Sequence, residues 1–303
     1  MNYIYYKDKK GNFGDDLNPW LWSQLFQDSG ILKKSLFMGI GSILNHDYKE
    51  VANKTNPDIK KIVFGTGVRP GYEFPHLELD ETWDVRFLRG PLSSFYFHNK
   101  YTYIADAAYA IRLLPTFNKY LNTKKKYEIS FMPYYKSVPM FDWTDICNKL
   151  GIHYISPYSE NGVENTILEI ASSEKIITEA MHGAIIADTL RVPWHRFILT
   201  TPHTEGPMVS EFKWNDWLMS LDLANYPEYS FVKLYRSGRA NEFLKKLTLG
   251  MLDVSMCLKW KMKDQILKSL SSEKKFDLSS EQWVKQTDNK LKEQIEILNN
   301  TKE

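Results

Sequence analysis

The chain has 303 residues, 43% of them hydrophobic and 25% charged, with a formal net charge of +2. That length suits two domains of about 100–200 residues, and the composition excludes a disordered, collagen-like or coiled-coil chain. The near-neutral balance excludes a nucleic-acid-binding surface over the whole molecule, and no stretch approaches the roughly 18 continuous apolar residues of a membrane span.

In the first half, short β-rich runs at residues 3–6, 36–39, 61–65, 85–88 and 103–105 alternate with helical patterns at 17–26, 91–98 and 107–113. That alternation predicts an α/β domain with a parallel, doubly wound sheet. The run PTFNKYLNTKKK, residues 115–126, is the best linker. The pattern then restarts, with strands at 127–133, 153–156, 175–178 and 194–199 and helices at 142–150, 163–172 and 182–190. We therefore expect a first domain over 1–118, a second of the same kind over 119–237, and a helical extension over 238–303.

The extension carries Leu244, Leu247, Met251, Leu252, Leu258, Ile266 and Leu270 at roughly helical spacing. Between Lys233 and Lys268 nine Lys or Arg face three acids, a local excess of +6. One reading packs this helix back across both domains with its lysines in solvent. The other lays its basic face, residues 233–268, on an anionic membrane surface. Cys147 and Cys257 lack zinc spacing and are too few for a disulfide framework, so both read as small buried hydrophobes of a reducing compartment. The opening MNYIYYKDKK lacks the apolar core of a signal peptide, and a cytoplasmic protein is expected.

Ligands of open α/β sheets bind beyond the carboxyl ends of the strands, and four stretches lie there. In GNFGDDLNPWLW, residues 11–22, Gly11 and Gly14 free the backbone, Asp15 or Asp16 can cap a helix starting at Leu17, and Pro19 fits its first turn. In MGIGSIL and FGTGVRPG, residues 38–44 and 64–71, a G-x-G follows a strand, and the N–H groups around Gly65 and Gly67 can meet an anion or merely make a tight turn. Neither extends to G-x-G-x-x-G, so no nicotinamide or flavin cofactor is expected. In RFLRGPLSS, residues 86–94, Arg89 ends a strand and Pro91 opens a helix, a pairing suited to a carboxylate or phosphate. The bland alternative is a surface Arg paired with a neighbouring acid. In KIITEAMHGAIIADTLRVPW, residues 175–194, a strand delivers Glu179 and His182, Gly183 allows close approach, and the imidazole meets a helix N-terminus, a good place for a general acid or base. No second His or Cys lies at ligand spacing, so a zinc site is not expected, and no nucleophile elbow or phosphate-cradling loop is present.

Three of these stretches, GNFGDDLNPWLW, VRFLRGPLS and EAMHGAIIADTLRVPW, in this order and at these spacings, resemble the polysaccharide pyruvyl transferase family, in particular its exopolysaccharide ketal-forming branch. The resemblance spans about residues 1–225. It implies a GT-B-like fold, two Rossmann-like doubly wound domains facing a cleft, and transfer of the enolpyruvyl unit of phosphoenolpyruvate onto two hydroxyls of one sugar, without metal or cofactor. By position it implies Arg89, His182 and, in EFKWNDW, Lys213 as the functional cations and acid/base. Asn12, Gly14, Asp15, Asp16, Gly65, Gly67, Glu179, Gly183 and Arg191 are then candidates for binding substrate. Many members carry an Arg just before Leu-His-Gly, where this chain has Glu179-Ala180-Met181. Arg191 or Arg196 is expected to replace that cation.

The residue chemistry agrees, since phosphate and carboxylate together call for two or three cations. With its ordinary near-neutral pKa, His182 is expected to serve as the acid/base, while Asp15 or Asp16 places the sugar hydroxyls. Two rivals remain: a glycosyltransferase using a nucleotide-activated sugar, for whose ribose Glu179 is the one loose partner, and a catalytically silent scaffold of polysaccharide assembly. A lipid-linked acceptor at the inner membrane face would suit the basic extension.

Overall fold

The computed structural model describes residues 2–26, 34–55, 57–71, 77–235 and 254–301. The first half runs β1 (Asn2–Tyr3), α1 (Phe13–Leu25), β2 (Ser35–Met38), α2 (His46–Thr55), β3 (Lys60–Phe64), β4 (Trp83–Phe87) and α3 (Pro91–Tyr96). Its four strands pair in parallel in the order β1-β2-β3-β4. β2 is buried throughout and β3 beyond its first residue, and their apolar stretches LFM and IVF suit strands of a covered parallel sheet, while the buried Lys61 ammonium finds the Thr82 hydroxyl at 3.0 Å. Trp22 and Phe26 of this half pack edge-to-face against Phe37 and Phe64, with ring centroids 5.2 to 5.9 Å apart.

A 3-10 helix (Ala107–Leu113) and α4 (Asn118–Leu121) lead to the second half. This comprises β5 (Tyr127–Met132), α5 (Trp143–Leu150), β6 (His153–Tyr154), α6 (Val163–Ala171), β7 (Ser173–Thr178), α7 (Met181–Thr189), β8 (Trp194–Ile198), α8 (Thr201–Thr204), α9 (Pro207–Leu218) and β9 (Tyr229–Phe231). Its five strands are parallel, in the order β6-β5-β7-β8-β9. The segment expected to be a linker is packed: Phe117 and Tyr120 join an apolar cluster that also holds Phe37 from the first sheet and Ile176 from the second.

Several local expectations are corrected. α1 begins at Phe13, not Leu17, and Asn12 takes the cap position without a side-chain bond to the backbone. Asp15 and Asp16 therefore lie inside the first turn, where carboxylates still suit the positive end of the helix dipole. Pro19 is interior, and the Asp15 carbonyl that its missing N–H leaves free accepts the Asn18 amide at 3.1 Å. The strand expected at 103–105 reduces to one bridge between Leu88 and Tyr103. α9 has no clean apolar stripe, because Lys213 and Asp216 lie among its buried tryptophans and both find polar partners.

Two helices close the chain. α10 (Val254–Ser271) seats Met262, Ile266 and Leu270 against Phe131 and Phe197 of the second half. α11 (Glu281–Asn300) reaches back to the first, where Gln294 accepts from Arg86 and Asp288 holds Arg112. Arg236, Arg239, Lys245 and Lys246, the apolar positions Leu244, Leu247, Met251 and Leu252, and the Cys257 side chain lie outside the described residues. Cys147 is buried, which pushes its thiol up to about 12. Among the described residues no helix is long and apolar enough to cross a membrane.

Asp188, on α7, joins three parts of the chain. It accepts from the Tyr109 hydroxyl at 2.9 Å, from the Trp194 indole at 3.1 Å and from the Ser279 N–H at 2.9 Å. The Ser279 hydroxyl donates to it as well, at 2.5 Å. Asp188→Ala strands these four buried donors, each costing about 1–3 kcal/mol, so urea unfolding should show a loss of at least ~4 kcal/mol.

Candidate active site

Loops leaving the carboxyl ends of strands in both sheets enclose a cavity of about 460 Å³. Four cations wall it: Arg69 after β3, Arg89 after β4, Lys136 after β5 and Lys213 on α9. His182, Asp15, Glu205 and Tyr134 stand among them.

His182 opens α7 and reaches the start of α1. Its Nδ1 lies so near Gly14 that a Cβ there would meet it at 2.1 Å, so only glycine fits. The side chain is 15% exposed. Burial, then the charges of Lys213 and Arg89, push its pKa down to about 3. This corrects the expected near-neutral imidazole: His182 is uncharged at neutral pH and enters any reaction as a base. The sign follows, since the unfolded chain takes up a proton below about pH 6.5 that the folded one refuses, and His182 destabilises the fold as pH falls through that range.

Asp15 behaves oppositely. Burial raises it to about 7, against the pull of Lys213 and of the Asn12 amide, which donates to its Oδ2 at 2.5 Å. It keeps its proton to a higher pH than the unfolded chain does, so its share of stability is held below the ordinary carboxyl value of 3.8 and lost as pH climbs from there through about 7. The two acids of the opening motif are now distinct. Asp16 accepts the Asn12 N–H at 2.9 Å and braces the helix start, whereas Asp15 borders the cavity.

Arg89 is placed at the strand end as expected, but the carboxylate it holds belongs to the chain itself. Its Nε donates to Asp216 Oδ2 at 3.0 Å, while the Ser93 N–H at the start of α3 donates to Oδ1 at 2.8 Å. Its Nη1 donates to Ser42 at 2.6 Å, and Nη2 is buried without a partner. Lys213 donates to both oxygens of Glu205, at 2.8 and 3.0 Å. Burial pushes Glu205 up, but Lys213 outweighs it and the carboxyl falls below its usual range.

Other expected residues have framework roles. Glu179 is fully engaged: its carboxylate accepts from the N–H groups of Leu199, Thr201 and Tyr134 and from Ser137, which leaves it ill-suited to a ribose. Gly65, Gly67 and Gly183 do not border the cavity; a Cβ on them would collide with Phe87, Arg89 and Thr178 respectively. Arg191 is bound to Glu281 at 2.7 Å, and Arg196 is bound to Glu211 with Trp214 against it. Neither borders the cavity, so the extra cations there are Arg69 and Lys136. Arg69 has no carboxylate within 4 Å among the described residues. The sequence signalled it only by its place just beyond FGTG; Glu205 and Tyr134 gave no signal.

Four cations thus gather where both sheets present their loops, interspersed with the carboxyl groups of Asp15, Asp47, Glu179 and Glu205 and beside the His182 imidazole. The chain belongs to the polysaccharide pyruvyl transferase family, whose model matches residues 2–198. It is similar to the succinoglycan biosynthesis protein ExoV of Rhizobium meliloti (strain 1021), at 35% identity over 229 residues, which cover 75% of this chain and 67% of that protein. A solved structure of the wall teichoic acid polymerase TagF aligns over 88% of this chain and 74% of that one, at 12% identity and a TM-score of 0.35, too low to bear on the argument.

Because His182 is held neutral by burial and two neighbouring cations, its ¹⁵N resonances should stay at uncharged-imidazole values from pH 8 down to pH 5. Titration with a midpoint near 6.5 would contradict this account of the site.

Proposed function

We propose that the enzyme transfers the enolpyruvyl unit of phosphoenolpyruvate to two hydroxyls of one sugar in a surface polysaccharide or its precursor, releasing inorganic phosphate and leaving a pyruvate ketal. The observation that carries this reading is that one cavity holds the His182 imidazole and the Asp15 carboxyl group together with Arg69, Arg89, Lys136 and Lys213. Arg69, Arg89, Lys136 and Lys213 supply the positive field for a substrate bearing phosphate and carboxylate. The cavity volume lies within the range of small-molecule sites, about 300–1,000 Å³. Two parallel sheets presenting their loops to one cleft support a GT-B-like arrangement.

Protonated Asp15 gives its proton to the methylene carbon, and the resulting cationic carbon is attacked by the first hydroxyl, whose proton passes to His182. The C–O bond to phosphate breaks, and His182 returns that proton to the departing phosphate. The second hydroxyl then attacks the same carbon and its proton restores Asp15. Both groups end as they began, one phosphate leaves, and two C–O bonds have formed. A cation beside each leaving or developing negative charge lowers the barrier without moving.

Replacing His182 by Ala should abolish phosphate release from phosphoenolpyruvate in the presence of acceptor while the protein stays folded; undiminished turnover sinks the assignment. In the wild type, kcat/KM should fall above about pH 7 as Asp15 loses its proton, and Asp15→Asn should be inactive at every pH.

The acceptor is read as carried at an anionic membrane. On α10, Trp260 is 71% exposed and is flanked by the exposed Lys259 and Lys261. Sedimentation with vesicles containing anionic lipid should show binding at low salt that is lost at high salt; no binding at either overturns this part of the reading.

A further inference from the structure

Asp106 follows the Leu88–Tyr103 bridge and is wholly buried. One of its oxygens has an evident task, since Oδ1 accepts the Ala108 N–H at 3.0 Å and caps the 3-10 helix. The other, Oδ2, has no hydrogen-bond partner, and neither has Nε2 of His182; the two lie 3.9 Å apart. A cap needs only one acceptor, which Ser or Asn supplies without a charge. Burying a carboxylate with an idle oxygen is costly, so the second oxygen calls for a second use.

We infer that Asp106 is the positioning residue of His182, accepting a hydrogen bond from Nε2–H and so leaving Nδ1 as the bare nitrogen that receives a hydroxyl proton. The geometry supports this orientation. Nε2 points into the protein, whereas Nδ1 lies toward Gly14, a wall of the cavity. The gap is too long for a hydrogen bond, but about 1 Å of ring movement closes it, and such contacts often tighten only when substrate binds. When Nδ1 takes a proton, the carboxylate faces the imidazolium and steadies it. Arg89 lies close enough to draw Asp106 down, although burial prevails and holds it at about 6. The catalytic part of this inference rests on the reaction proposed above; the tautomer does not.

The experiment is ¹⁵N NMR of the His182 ring together with phosphate-release kinetics, on wild type, Asp106→Asn and Asp106→Ser. Asn keeps the capping oxygen and turns Oδ2 into a donor; Ser keeps a cap and removes the reach. In wild type the proton should sit on Nε2, and in both variants the ring should become a mixture of tautomers. kcat should fall about 100-fold with KM for phosphoenolpyruvate within about threefold, the signature of a group that acts only as the reaction proceeds. A wild-type Nδ1–H tautomer overturns the inference even if neither variant folds. So does a folded variant that keeps both tautomer and kcat, or one that loses only KM. If wild-type protein releases no phosphate from phosphoenolpyruvate, the reaction assignment fails, and the tautomer alone still decides the role of Asp106.

Discussion

Arg89 and Asp216 form an ion pair whose side chains are 1% and 0% exposed, with the guanidinium drawn from the loop after β4 and the carboxylate from α9. Breaking a pair this deep leaves an unpaired buried charge, at a cost of about 3–5 kcal/mol. The pair is completed by Ser93, whose N–H and hydroxyl both donate to Asp216. It fastens α9 to the first sheet's loops, and α9 carries Lys213 one turn before Asp216. The cation that faces His182 is thus held through an interaction formed by other residues entirely.

The charges of the cavity act on one another through the same low-dielectric space. Lys213 and Arg89 depress His182, Lys213 lowers Glu205, and Asp15 stays high because burial outweighs the nearby cation. An anion entering this field cancels part of it, which raises the affinity of the imidazole for a proton. His182 therefore rests neutral and becomes easier to protonate once an anionic substrate is beside it, a sequence suited to a group that must first accept a proton and then return it.

Most strands of both sheets were legible in the sequence because each carries a short apolar stretch: β2, β3, β5 and β8 fall within one residue of their expected limits, whereas β9 was not expected. The site was legible as addresses, with Arg89, His182 and Asp15 all placed beyond strand ends. Their partners were not. No spacing rule links Arg89 to Asp216 or His182 to Asp106, since those pairs exist only once the loops of two sheets converge. Arg191 and Arg196 failed as cavity cations for the same reason: both are near His182 in sequence, and in space both are directed to other acids. The opening motif misled in one detail, the start of α1, because the Asp-Asp pair looks like a cap while Asn12 occupies that position.

Gly14 belongs to α1, beside the first sheet, and His182 to α7, beside the second, yet the space between them is narrower than a methyl group. That contact sets a tolerance. The two halves of the chain register against each other at the point where chemistry would occur, with less than one carbon atom of play. A shift elsewhere that moves one sheet's loops toward the other presses on the imidazole, which makes His182 a gauge of how the halves are aligned.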